Sequence, residues 1–174
     1  NAAVYTTGVT LANALTVASG NLTIQGSSLV GGIATPLPGS SATGSRYGFS
    51  SAAAGDITVS GNISLAGTSV TFLGAYLLGD VLSTDGNVAL TGAGLYAMSL
   101  SAPVTAGTGA NPRTLTITTT GSNGYGLTTA AAAALSATGS IALTAYATIG
   151  ASGISIAAPI RSTLRGDVVI SSYA

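Results

Sequence analysis

Few side chains in this sequence have chemistry to offer. Four aspartates (Asp56, Asp80, Asp85, Asp167) and four arginines (Arg46, Arg113, Arg161, Arg165) are the whole charged complement, and His, Cys, Lys and Glu are absent. Asp80 and Asp85 share the segment GDVLSTDG, and Arg113 follows further along the chain. Together they are the best available trio for cleaving a polysaccharide. Hydrolysis of a glycoside needs two facing carboxylates, and a lyase needs a base beside a neutralising cation. The same two aspartates can offer oxygens to Ca²⁺, but two carboxylates are a thin ligand set and a turn explains them more simply. Without His or Cys, zinc, haem and iron–sulfur sites lose their usual ligands. A Ser-His-Asp triad or a Cys-His pair cannot be assembled. The sequence therefore points to no enzyme, no catalytic residue, no metal and no cofactor.

Asp56 and Asp167 occupy the second position of a Gly-Asp-apolar pattern, where Asn21, Asn62 and Asn87 also stand. Interchange of Asp with Asn at a corner indicates a side chain that bonds nearby backbone and needs no ionisation. Asn21-Leu22-Thr23 and Asn62-Ile63-Ser64 match the N-glycosylation acceptor pattern, but both fall at strand starts and read as coincidence. A net charge of zero with dispersed arginines leaves no footprint for nucleic acid. The best apolar run, Leu127 to Leu135, is nine residues long and includes two threonines, well short of the roughly 18 that a membrane helix needs. No basic, apolar leader opens the chain.

These groups must be positioned by something, and the positioning element is a repeat. Gly, a small polar residue, then apolar–x–apolar recurs as GNLTI (20–24), GDITV (55–59), GNISL (61–65), GNVAL (86–90), GSIAL (139–143) and GDVVI (166–170), with RTLTI (113–117) as a variant. Taking Gly55, Gly86, Arg113, Gly139 and Gly166 as unit starts gives successive steps of 31, 27, 26 and 27. MSLSAPV (98–104) and ISIAAPI (154–160) mark a second strand per unit, set close to two such steps apart. Apolar–x–apolar is the two-residue period of a half-buried strand, and Gly with Asn or Asp supplies the corners. Ala-rich Thr129 to Leu135 is expected to be a strand or corner of the same kind. One strand recurring once per unit and stacking on its own copy describes a β-solenoid better than a sandwich or barrel. The fold expected is all-β, a parallel β-helix with coils of about 27 residues. Ile57, Val59, Val88, Leu90, Leu115, Ile117, Ile141, Leu143, Val168 and Ile170 should form aliphatic ladders inside it.

The Gly-[Asn/Asp/Ser]-apolar-x-apolar starts, the Ala-Pro strands and the Lys-free Ala/Gly/Ser/Thr spacers resemble the filamentous haemagglutinin family of two-partner-secreted bacterial adhesins. The resemblance covers roughly 55–174 and, more loosely, 9–30. It implies a right-handed parallel β-helix shaft, an extracellular or bacterial cell-surface location, and roles in adhesion, biofilm or contact-dependent competition. The coils here are longer than that family's repeats, and the outward positions carry far less charge.

Residues 31–54 break the period. Pro36 and Pro38 with clustered Gly and Ser, then Arg46, Tyr47 and Phe49, read as a loop protruding from the rod. It is either a contact surface, for a host-surface or glycan ligand, or a spacer whose two aromatics fold back onto the coil. Threonines at Thr58, Thr91, Thr114, Thr116, Thr118, Thr119 and Thr120 are read as outward. Ranked threonines on a flat solenoid face are a device for binding ice, but Ser64, Ala89 and Ala142 interrupt this rank. Charged residues make up 5% of the chain against about 25% in ordinary domains, and no capping unit is recognisable. The chain also ends within a repeat unit, as a section of something longer would. The expectation is a structural filament or adhesin shaft, a single β-helix segment over 1–174. It would continue along a longer chain or self-associate through uncharged faces and uncapped ends. The alternative is a carbohydrate-binding or carbohydrate-cleaving solenoid.

Overall fold

The structure, a computed structural model, describes residues 8–28, 47–70, 72–122, 125–147 and 153–173. Short strands wind through these residues three to a turn. The first turn holds β1 (Val9–Leu11), β2 (Leu15–Val17) and β3 (Leu22–Ser28). The second holds β4 (Phe49–Ser51), β5 (Ile57–Val59) and β6 (Ile63–Ser69), and the third β7 (Leu73–Leu77), β8 (Val81–Ser83) and β9 (Val88–Gly94). The fourth has β10 (Tyr96–Leu100), β11 (Val104–Ala106) and β12 (Leu115–Gly121). The fifth has β13 (Leu127–Thr129), β14 (Leu135–Ala137) and β15 (Ile141–Ala147), and the last β16 (Ile154–Ile156), β17 (Ile160–Ser162) and β18 (Val168–Tyr173).

Each strand pairs in parallel with its counterpart one turn away, giving three six-stranded sheets. We call them sheets I, II and III in the order the chain visits them. At about 4.8 Å per strand, the six rungs span about 25 Å. No helix interrupts the described residues. The fold is a β-solenoid. Along sheet III the aligned inward residues run from Ile63 through Val88, Leu115 and Ile141 to Val168, in steps of 25, 27, 26 and 27. From Leu22 to Ile63 the step lengthens to 41, and residues 29–46 within it lie outside the described set.

The ladders follow from the alternation in the sequence. Ile24, Leu65, Leu90, Ile117, Leu143 and Ile170 align in one column, and Leu22, Ile63, Val88, Leu115, Ile141 and Val168 in the next. One sequence expectation is corrected here. Gly55 does not start the same unit as Gly86, because GDITV feeds β5 in sheet II while GNISL feeds β6 in sheet III. Val59 therefore faces the core beside Val17 and Ser83 rather than in the Leu90 column. The first interval of 31 becomes 25 when counted from Gly61.

The corners satisfy the backbone by handing side-chain acceptors from turn to turn. Asn21 Oδ1 accepts the Asn62 N–H, Asn62 Oδ1 the Asn87 N–H and Asn87 Oδ1 the Thr114 N–H, each at 2.8 Å. Ser140 Oγ accepts the Asp167 N–H at 3.2 Å. Asn side chains at these corners do bond backbone, as expected, but one full turn along the stack rather than within their own corner. Asp56 does the same at the preceding corner, its Oδ1 accepting the Asp80 N–H at 2.9 Å. The Ala-rich 130–134 segment is a corner between β13 and β14, and Ala133 plugs it from within.

Where sheet III runs out and sheet I begins, the two backbones nearly touch. Gly26, Gly67, Gly92, Thr119, Ala145 and Ser172 form one column on the sheet III side. The facing column comprises Gly48, Gly74, Ala97, Gly126 and Gly153. Where one side carries a side chain the other is glycine: Gly92 meets the Ala97 backbone, while Gly126 leaves room for Thr119 and Ala145. Thr119 is thus fully buried, not outward as its place in the threonine run suggests, and its Oγ1 has no hydrogen-bond partner.

Candidate functional site

The charged trio does not converge. Arg113 pairs with Asp85, Nη2 to Oδ1 at 2.6 Å and Nε to Oδ1 at 3.2 Å, across neighbouring turns at the corner entering sheet III. Asp80 stands at the corner entering sheet II, with β8 between it and Asp85, and takes no part in the pair. The Asp85 side chain is 65% exposed. The hydrogen bond and positive charge of Arg113 hold its carboxyl below the usual carboxylate range. A group depressed in this way adds stability at neutral pH and loses it as pH falls through the folded value. Solvent screening keeps the contribution small. Asp85→Asn is expected to melt at nearly the wild-type temperature at pH 7, and the difference should vanish once acid has protonated Asp85 in the wild type. Thermal melts at pH 7 and in acid check this. Among the described residues, no three His, Cys, Asp or Glu side chains cluster where a metal could bind, and no helix is long and apolar enough to cross a membrane.

Of the three residues assigned to a protruding loop, Arg46 lies outside the described residues. Phe49 is not in a loop: it opens the three-residue strand β4 and is fully buried in the core. The boundary of the irregular segment is corrected accordingly, since 49–51 is strand. Tyr47, just before β4, is half-buried, its ring 5.1 Å from that of Tyr76 and 5.8 Å from that of Phe72. Both aromatics thus fold back onto the coil, and Tyr47 belongs to a larger feature that sequence reasoning missed.

That feature is the outer face of sheet I. Along its leading edge, one ring per turn, run Tyr47, Phe72, Tyr96 and Tyr125, with Phe72 and Tyr96 meeting edge to face at 5.7 Å. Phe72 and Tyr96 are each 37% exposed and Tyr125 47%. Beside them the register aligns a column of hydroxyls, Thr10, Ser50, Tyr76, Ser99, Thr128 and Ser155, of which Ser50 is buried. Tyr47, Tyr96 and Tyr125 immediately precede Gly48, Ala97 and Gly126 of the close backbone contact, whereas in the third turn Leu73 holds that position and Phe72 comes one residue earlier.

Two shallow grooves open on this face. One, of about 350 Å³, lies among Phe72, Leu73, Tyr96, Ser99, Tyr125 and Thr128. The other, of about 330 Å³, lies among Thr10, Tyr47, Ser50, Ser51, Tyr76 and Leu78. Among the described residues, tyrosine phenols are the only ionisable groups lining either. The four aromatics recur in steps of 25, 24 and 29, so laying them over the coil period is the signal that could have found them.

The far end of the rod presents a different surface. On β18, Val168 is 46%, Val169 52% and Ile170 50% exposed, although Val168 and Ile170 continue ladders whose members one turn below, Ile141 and Leu143, are fully buried. No protein-family model matches this chain, and neither a curated protein nor a solved structure matches it.

Proposed function

We propose that this chain is a non-catalytic structural segment, the shaft of an extracellular filament or adhesin, extended by stacking rung upon rung. The observation that carries the reading is the stack itself. Three six-stranded parallel sheets align the same inward aliphatics and corner acceptors from turn to turn, so each rung offers the next the surface on which it was itself laid. Rungs of this kind can stack on those of a second copy. Head-to-tail contact of this kind is heterologous and open-ended, and it builds filaments. A rod with 5% charged residues is also poorly defended against association. The likeness to filamentous haemagglutinin repeats supports a bacterial surface setting and a part in adhesion or biofilm.

The test is electron microscopy and sedimentation across a concentration series. Unbranched fibres about one solenoid wide, growing with concentration, are expected. Dispersed particles of monomer mass at every concentration would overturn self-stacking, and glycan turnover lost in Asp80→Asn or Asp85→Asn would overturn the non-catalytic role.

A further inference from the structure

We propose that the outer face of sheet I binds a linear, uncharged polysaccharide lying along the solenoid axis. The ligand class follows from what the face offers. Tyr47, Phe72, Tyr96 and Tyr125 are partly exposed, with neighbouring rings tilted by 48° between Tyr47 and Phe72 and 75° between Phe72 and Tyr96, and the C–H-rich faces of pyranose rings pack on exposed aromatic surface of this kind. Beside the rings the sheet adds hydroxyls from Tyr76, Ser99 and Thr128, while Ser50 in the same column is buried. Hydroxyls both donate and accept, as a sugar's own hydroxyls require. Among the described residues no carboxylate, guanidinium or amine lines either groove, and the lining offers apolar surface and hydroxyls in place of counter-charge.

Geometry sets the ligand's shape. The sheet repeats once per turn, about every 4.8 Å, and the ring centres stand 5.8 Å apart between Tyr47 and Phe72 and 5.7 Å between Phe72 and Tyr96, a spacing comparable to one pyranose unit. Grooves of about 350 and 330 Å³ stand at the small end of the roughly 300–1,000 Å³ range of ligand sites. They are in line along one face. Each suits one or two sugar rings of a polymer that occupies both. A polypeptide strand fits less well, because the backbone donors and acceptors of sheet I are engaged along the stack by pairing from β1 through β16, leaving none on the face for strand addition.

Titration with neutral hexasaccharides (β-1,4-glucan, β-1,3-glucan, xylan, mannan and chitin fragments) against an anionic polygalacturonate hexasaccharide tests the inference. The chain has seven Tyr and no Trp, so tyrosine emission reports stacking directly, with calorimetry as the second readout. At least one neutral probe is expected to bind saturably, and the anionic probe not at all. Tyr96→Ala and Tyr125→Ala should each weaken binding about tenfold. Tyr146→Ala, on sheet III against Tyr173, should leave it unchanged. All three variants replace partly exposed rings outside the core, and circular dichroism confirms their fold. The proposal is overturned if no neutral probe binds at about 1 mM, if the anionic probe binds as tightly, or if the sheet I variants bind like wild type. It is equally overturned if sedimentation shows this face buried in a dimer that Tyr96→Ala dissolves. Fibre growth uses the end rung, so its failure leaves the glycan result standing, and the converse also holds.

Discussion

Gly67→Ala is expected to destabilise the protein by about 3 kcal/mol, the upper end of overpacking costs, while Gly109→Ala should change stability by no more than about 0.5 kcal/mol. Neither position has a left-handed backbone, so the difference lies wholly in space. A Cβ on Gly67 would run into the Gly74 carbonyl oxygen and sit 2.8 Å from the Gly74 carbonyl carbon and 2.9 Å from the Phe49 nitrogen. All three are backbone atoms of the hydrogen-bonded sheet I ladder, which cannot turn aside as a flexible side chain would. Relief requires sheets I and III to part at their shared edge, which disturbs the stacking of β4 on β7 and the burial of Phe49. Gly109 has nothing within 4 Å of its Cβ position, and there a methyl group only restricts the unfolded chain. Urea denaturation of the two variants beside wild type measures the contrast. Equal midpoints would mean that sheets I and III are held apart more loosely than this close backbone approach requires.

That contact also marks the limit of what the sequence disclosed. The corners and inward columns were legible because their signal is local: Gly and Asn before apolar–x–apolar recur within five residues. The same locality caused the error at Gly55. GDITV and GNISL look alike because each is a corner feeding a strand with two inward aliphatics, and nothing within five residues says which of the three sheets follows. Only the register, with Leu15 beside Ile57 and Leu22 beside Ile63, separates them. The glycine column is harder still. Gly92 is required by Ala97, and Gly126 by Thr119 and Ala145, so the constraint belongs to pairs on different strands. Thr119 is misplaced for a related reason, since a run of threonines gives no phase until its β-strand neighbours fix one. The aromatic face was hidden by dilution. Four rings scattered from Tyr47 to Tyr125 look like isolated outward positions until the winding places them on one edge.

The ladder itself yields the sharpest test of the open end. Ile117→Ala is expected to cost about 2–5 kcal/mol, the usual range for emptying a packed aliphatic site. Ile117 has no exposed surface and stands between Leu90 and Leu143, so contraction around the void would have to move two neighbouring turns held by hydrogen bonds. Ile170→Ala removes the same atoms from the same column at its last rung, where the side chain is 50% exposed. It loses roughly half the burial and creates no closed cavity, so in dilute solution it should cost about 1 kcal/mol or less. The two values are coupled to assembly. If a second copy stacks on β18, Ile170 becomes an interior member of a longer ladder, and its substitution then costs what Ile117→Ala costs. Denaturation midpoints of both variants from low to high protein concentration read this directly. Under the shaft proposal, the gap between them narrows as concentration rises, because binding that is specific to the folded state adds stability by mass action. A gap that stays constant would assign the last rung to solvent and restrict elongation to a continuing chain.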